Sequence, residues 1–371
     1  MTMQQTPLLM SRILHRGAIL DPNVEIVTLR ENGTHRQTLK TTSQRVRKLA
    51  NALNEFGIKE GDRIGSFMWN NYRHLELYQA IPSMGCVLHT LNIRLSPHDL
   101  TYIINHAENR IIFVDEDLLP LVEPILSKTP TVELLVVCSE GENTKLEKKN
   151  QIDYEKFIQE HSEEFTWPNL DENAPMGLCY TSGTTGKPKG VMYTNRSTYL
   201  HTITQSMTDS MSLSAVDAVC GIVPMFHAMG WGLPFSASML GCKQVMPHRY
   251  MDPERLVQLM SDEEVTISSE NPEEESTITP NKILYFYEDG YTMELDRVEY
   301  LKNRSRSNSK YRKKIQYVKL VPKDSDSSFK YIHLGIDTEF NQIYKVVETG
   351  KNETVTTITI VDFEFNVKLD D

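Results

Sequence analysis

The eleven residues Tyr180 to Gly190, YTSGTTGKPKG, hold three Thr, one Ser, three Gly and two Lys, and they follow the apolar run MGLC. Gly183, Gly186 and Gly190 allow tight turns and close approach of the backbone. Thr181, Ser182, Thr184 and Thr185 add hydroxyl donors, and Lys187 and Lys189 add positive charge. That composition suits a phosphate group. The P-loop of nucleoside triphosphatases needs G-x-x-x-x-G-K-[ST]. Here Gly183 and Gly186 stand too close together, and Pro188 follows Lys187 where a metal-binding hydroxyl belongs. The competing reading is a flexible surface loop, but such loops rarely follow a buried strand and carry paired lysines. A second group is PMFHAMGWG, Pro224 to Gly232. By themselves its His227 and Trp231 read as a core histidine and a packed tryptophan. No cluster with metal-ligand spacing competes with these two stretches.

These residues must be positioned by a chain of 371 residues, more than one hydrophobic core normally fills, so two or three domains are expected. The composition is that of a soluble globular protein, and no apolar run is long enough to cross a bilayer. The first residues show neither an h-region nor a small-residue cleavage site, which disfavours secretion. Cys86, Cys138, Cys179, Cys220 and Cys242 are odd in number and widely spaced, so neither a disulfide framework nor a zinc pattern is expected, and a reducing compartment fits. A net charge of −11 argues against broad nucleic-acid binding and makes a lysine-bearing anion loop the more notable.

Up to about residue 262 the pattern alternates between helix and strand. TTSQRVRKLANALNEFGIKEGDRIGSFMWNN begins with a Ser/Thr cap, sets Val46, Leu49, Leu53 and Phe56 on one helical face, stops near Gly57 and turns into the strand RIGSFMW. SPHDLTYIINHAENRIIFVDEDLLPLVEPIL repeats the pattern, with Ser96 as cap before Pro97, a helix to about Asn109, the strand RIIFV and another helix. VELLVVC is a further buried strand. The sum is an α/β body with helices packed on sheets.

Beyond Ser261, SDEEVTISSENPEEESTITPN reads as a linker over residues 263–280. ILYFYEDGYTMEL carries a hairpin signal at Asp289-Gly290, and VDFEFNVKL alternates as a strand with one wet face. Residues 281–371 are therefore expected to form a small antiparallel β-rich module. The basic stretch from Lys302 to Lys314 holds one aromatic residue, Tyr311, and reads as a solvated loop rather than a nucleic-acid face.

Four ordered stretches carry a resemblance: WNNYRHLELYQAIPSMGCVLHTLNIRLSP, TYIINHAENRIIFVD, LCYTSGTTGKPKGVMYTNRST and VPMFHAMGWGLPFSASMLGCKQVMP. They resemble the acyl-activating, AMP-forming adenylate ligases, and among these the medium- and long-chain fatty acyl-CoA ligases. The resemblance covers residues 1 to about 268, roughly the first half of such an enzyme. It implies that residues 1–262 are the N-terminal large-domain portion of an adenylate-forming ligase. It also implies a reaction in which a fatty acid attacks ATP in the presence of Mg2+, giving acyl-adenylate and pyrophosphate, and CoA then displaces AMP. By match to the motif, Thr181, Ser182, Gly183, Thr184, Thr185, Gly186 and Lys189 would hold the ATP phosphates, with Thr181 a magnesium ligand. His227 and Trp231 would line the acyl site. A cytoplasmic enzyme, with the mitochondrial matrix as alternative, and a homodimer also follow from the resemblance.

The later motifs of these ligases are not recognisable after residue 268. YTMELD lacks the Gly and the Thr-Glu ending of the adenine stretch, ETGKNE has Lys351 where a ribose-binding Asp is needed, and Lys368 sits on an alternating strand, so no catalytic residue is assigned. Three readings stay open. They are a fatty acyl-CoA ligase that is incomplete or poorly active as this chain alone, a non-catalytic nucleotide- or acyl-binding protein, and another adenylating ligase acting on an aryl or amino acid.

Overall fold

In the computed structural model, which describes residues 5–141, 150–181, 188–269, 291–302, 312–323, 329–337, 342–350 and 355–359, the chain divides into two units, Met1–Asn271 and Pro272–Asp371. The first opens with helix α1 (Ser11–Leu20) and the hairpin of β1 (Glu25–Arg30) and β2 (Gly33–Thr38). Helix α2 (Leu39–Phe56) ends at Gly57 in a left-handed cap, where the apolar face was expected to stop. Its N-cap differs from expectation. Thr38 has the extended backbone of a cap and its hydroxyl accepts the Thr41 N–H, so Thr41, Thr42 and Ser43 lie inside the helix.

The larger sheet takes β3 (Arg63–Phe67), β4 (Val87–Thr90), β5 (Ile111–Asp115), β6 (Leu134–Cys138), β7 (Gln151–Asp153), β8 (Pro175–Thr181) and β9 (Lys189–Thr194). Its order is β7-β6-β5-β3-β4-β8-β9, and every pair is parallel except β8 with β9. Strands covered on both faces must be apolar throughout, which is why IIFV and LVV are unbroken runs. The connections are α3 (Tyr72–Ser83), α4 (Pro97–Ala107), short turns around α5 (Leu119–Val122), and α6 (Tyr154–Gln159). Ser96 caps α4 by accepting the Asp99 N–H, with Pro97 at its first position as the sequence suggests. The carboxyl ends of the parallel strands share one edge, where α/β sheets bind their ligands.

The chain continues through α7 (Asn195–Gln205), β10 (Ala218–Gly221), α8 (Leu233–Leu240), β11 (Lys243–Met246), α9 (Pro253–Asp262) and β12 (Ile267–Ser269). These strands join the first hairpin in a second sheet of order β12-β10-β11-β1-β2. Helix α3 touches β1 and α8 as well as β3, β4 and β8, and all of its residues are buried. Its polar side chains are accordingly paired. Glu76 accepts from Arg45, from the Tyr154 hydroxyl at 2.6 Å and from Gln37 at 2.9 Å, while Arg73 donates to Glu155 and to the Ser139 carbonyl.

The expected linker does not begin at residue 263. Glu263 is 2% exposed and ion-pairs with Lys243 at 2.9 Å and with Arg36, and Ile267–Ser269 pairs with β10. A lone carboxylate could not be buried there without those cations, so 263–269 belong to the body.

The second unit is an antiparallel meander of β13 (Tyr291–Lys302), β14 (Arg312–Pro322), β15 (Phe329–Asp337), β16 (Gln342–Gly350) and β17 (Val355–Thr359). Ile315, Tyr317, Ile332 and Leu334 fill its buried face. A Cβ on Gly335 would lie 2.9 Å from the Tyr317 ring, so the glycine makes room for that ring. The Asp289-Gly290 turn, the alternating run 361–369 and most of the basic stretch after Lys302 lie outside the described residues.

Candidate functional site

Strand β8 rises from a buried middle, Met176 to Cys179, to an exposed Thr181 at the carboxyl edge of the sheet. Strand β9 returns antiparallel, and Thr181 pairs directly with Lys189, which is also exposed. Cross-strand partners keep their Cβ atoms about 5 Å apart on one face, so a hydroxyl and an ammonium group flank the mouth of the hairpin. Ser182, Gly183, Thr184, Thr185 and Gly186, expected to form the anion loop, lie outside the described residues, as does Lys187. The Tyr180 hydroxyl hydrogen-bonds His106 Nδ1 at 2.6 Å, and burial pushes its pKa up to about 12.

The second constellation hangs between β10 and α8. Asn70, at the end of β3 and 5% exposed, fastens it to the larger sheet. Its Nδ2 donates to the Gly221 and Val223 carbonyls at 2.8 Å each, and its Oδ1 accepts the Met225 N–H at 2.7 Å. The Tyr78 hydroxyl donates to the Met225 carbonyl. Beyond that anchor, Ala228, Met229, Gly230, Trp231 and Gly232 all have positive φ, from 43° to 77°. A left-handed conformation costs on the order of 1–2 kcal/mol for each residue with a Cβ, so Ala228, Met229 and Trp231 need compensation. The Ala228 and Met229 N–H groups meet Cys179 on β8. At the other end the Trp231 carbonyl accepts from His201 Nε2 at 3.0 Å and Gln205 Nε2 at 2.9 Å, both on α7.

This turn and α7 wall a cleft of about 660 Å³, whose lining includes Tyr193, His201, Met211, Met229, Trp231 and Leu233. Volume and apolar lining fall in the usual range for small-molecule sites. Trp231 is thus in the wall, 38% exposed. His227 stands just before the turn, half-buried, with its carbonyl accepting the Gly230 N–H at 2.8 Å, and is not among the cleft-lining residues. Strand β9 joins the two constellations, with Lys189 at its start and Tyr193 in the cleft.

A second cleft of about 500 Å³ is lined by Arg30, Arg45, Tyr72, Arg73, Glu155 and Lys156, among others. Its Arg45 and Arg73 are already paired with Glu76 and Glu155, so most of its charge is internally balanced. Asp115, fully buried at the end of β5, is raised to about 7 by desolvation, although it accepts the Trp69 N–H at 2.7 Å and the Asn71 amide. Among the described residues no group of three His, Cys, Asp or Glu side chains could hold a metal ion. Sequence reasoning missed Asn70, Cys179, His201 and Gln205. The one available signal was the i, i+4 spacing of His201 and Gln205, which sets them on a single helical face.

A protein-family model described as AMP-binding enzyme matches residues 18–273. The chain is 39% identical over 268 residues to a medium-chain-fatty-acid–CoA ligase of Ectopseudomonas oleovorans, covering 72% of this chain and 49% of that protein. It is 40% identical over 272 residues to a long-chain-fatty-acid–CoA ligase of Thermus thermophilus, covering 73% and 49%. It therefore spans about half the length of the curated relatives it matches. Among solved structures, an anthranilate CoA ligase in complex with anthranoyl-AMP superposes with a TM-score of 0.66 at 16% identity, covering 94% of this chain and 79% of that one. That likeness establishes the fold, an α/β adenylate-forming ligase architecture carrying a small antiparallel sheet. On the match to residues 18–273, the chain belongs to the AMP-binding enzyme family.

Proposed function

We propose that this chain carries the phosphate-binding and acyl-binding half of a fatty acyl-CoA ligase, which joins a fatty acid to CoA at the expense of ATP, releasing AMP and pyrophosphate. The observation that carries the reading is the sharing of β9 by the Thr181/Lys189 hairpin and the apolar cleft, in a chain about 40% identical to two fatty-acid–CoA ligases. In the first half-reaction a carboxylate oxygen attacks the α-phosphorus of ATP and pyrophosphate departs. Charge grows on the leaving group, so donors fixed around the β- and γ-phosphates favour the transition state. Thr181, Ser182, Gly183, Thr184, Thr185, Gly186 and Lys189 take that role, with Lys189 supplying the cation. Met229 and Trp231 shape the wall for the acyl chain, and His227 is assigned to the inner end of that region.

Magnesium fits the site as an ion held chiefly by nucleotide phosphates, since Thr181 offers one exposed hydroxyl and Mg2+ commonly keeps waters and substrate oxygens as ligands. When bound, the ion neutralises phosphate charge. CoA enters as the second acceptor, and its thiolate displaces AMP. A cytoplasmic setting is supported by five free, buried cysteines, and a homodimer by the resemblance alone.

The groups that would grip adenine and ribose and neutralise the reacting carboxylate are not recognisable in residues 269–371, so this chain alone is expected to turn over slowly. The test is ATP–pyrophosphate exchange with a panel of C6 to C18 fatty acids, aryl acids and amino acids. Exchange stimulated by fatty acids alone, and reduced about a hundredfold to a thousandfold in Lys189→Ala, is the expected signature of a lost preorganised cation. Exchange with aryl or amino acids instead would assign a different adenylating activity. Nucleotide binding with no exchange would favour the non-catalytic reading.

A further inference from the structure

Five consecutive left-handed residues are seldom held by packing alone, and here the hydrogen bonds at their far end come from one helix face. Gln205 is 8% exposed, and its Oε1 accepts the Ser236 hydroxyl at 2.5 Å. That bond fixes which end of the amide faces Trp231, so Nε2 is the donor to the Trp231 carbonyl. His201, four residues earlier, presents Nε2 to the same oxygen. Its ring occupies the space that a side chain on residue 232 would need, since a Cβ on Gly232 would stand 2.6 Å from His201 Cδ2 and 2.8 Å from Nε2. Both side chains also line the 660 Å³ cleft together with Trp231.

We propose that His201 and Gln205 are specificity-determining residues of the cleft. By jointly holding the Trp231 carbonyl they keep residues 228–232 left-handed, fix the indole in the cleft wall and so set the length of apolar chain the cleft accepts. The inference rests on the acyl reading of the cleft but concerns how its shape is determined. Met229, which packs on Gly177 of β8, and the N–H contacts of Ala228 and Met229 to Cys179 hold the near end of the turn. Only the α7 pair holds the far end, where the indole is attached. The acyl-length preference is therefore controlled by two polar side chains behind the turn as well as by the apolar surface of the cleft.

The experiment uses the full chain and two readouts. The first is displacement of an environment-sensitive fluorescent fatty acid by straight-chain acids from C6 to C18. The second is acrylamide quenching of Trp231, taken as the difference from Trp231→Phe. His201→Phe and Gln205→Leu remove the donors, Gln205→Glu removes one at constant size, and His201→Gln retains one. A single methylene in an apolar site changes affinity by about tenfold or more. Loss of the donors should shift the preferred length by at least one methylene pair and raise Trp231 quenching, and His201→Gln should stay near wild type. Unchanged length preference and unchanged quenching in folded His201→Phe and Gln205→Glu would overturn the proposal. If the wild type displaces no fatty-acid probe, the acyl reading itself fails and the specificity claim falls with it. Quenching would then still decide whether the pair positions Trp231.

Discussion

The two units of this chain solve the same problem in different ways. The α/β body places whole elements out of reach of water: α3 is buried along its entire length, and β5 and β6 are apolar on both faces. Burial on that scale forces every interior polar group to find a partner, and Glu76, His74, Asn70 and Arg73 each do. The antiparallel unit has one buried face, and β13 leaves Leu295 79% exposed and Val298 41% exposed. Interior polar pairing therefore anchors ligand-bearing segments in the body, whereas the sheet unit has little interior in which to fix a site. The same division appears in the family match, which stops at residue 273.

The largest effect expected from this contrast is at Arg45. Replacing it by Met leaves the fully buried Glu76 without its guanidinium partner, and breaking a buried pair from one side costs about 3–5 kcal/mol. Denaturant unfolding should show that loss in the transition of the body. A loss below about 1 kcal/mol, the range of exposed pairs, would mean that Tyr154 and Gln37 suffice to hold the carboxylate.

Acid should act on the body next. Burial lowers His74 and His89 to about 4 and His248 to about 3 from an ordinary 6.5, so the folded chain keeps them neutral where the unfolded chain binds protons. Their contribution is complete above about pH 6.5 and is lost as the pH falls towards 4. Asp115, raised to about 7, works in the opposite sense and gains stability for the fold over the same descent. Three imidazoles against one carboxyl give a net loss. Denaturation midpoints at pH 7 and pH 4.5 check the sign, and His74→Gln should flatten the dependence. A midpoint that rises on acidification would show Asp115 to dominate.

The smallest effect belongs to the sheet unit. Leu295→Ser should change stability by no more than about 0.5 kcal/mol, as for surface positions in general. A larger loss would show that β13 covers something in the native protein.

Much of the body was legible because periodicity and caps are local. Gly57, Ser96-Pro97 and the runs RIIFV and LLVVC each mark an element that the structure contains. The second sheet was less legible, since β10, β11 and β12 are short and pair with β1, far away in sequence. The body also reaches past the clustered acidic residues after Ser261, because Glu263 finds Lys243 and Arg36 only in the folded state. At the candidate site the residue types pointed to Thr181, Lys189 and Trp231. The groups that position Trp231 could not be read off, because Asn70, Cys179, His201 and Gln205 reach it through tertiary contacts and through a left-handed backbone that Ala, Met and Trp do not advertise.

The central claim, that this chain holds one half of a ligase site, is tested most directly by thioester formation. Purified full chain and its Lys189→Ala variant would be given ATP, Mg2+, CoA and C6 to C18 fatty acids, with acyl-CoA measured by chromatography. Each missing electrostatic contact in a preorganised site costs about a hundredfold to a thousandfold in rate, and several are missing together. The account expects acyl-CoA near the blank for both proteins. Robust turnover by the wild type, abolished by Lys189→Ala, would contradict it and place the second half of the site within residues 269–371.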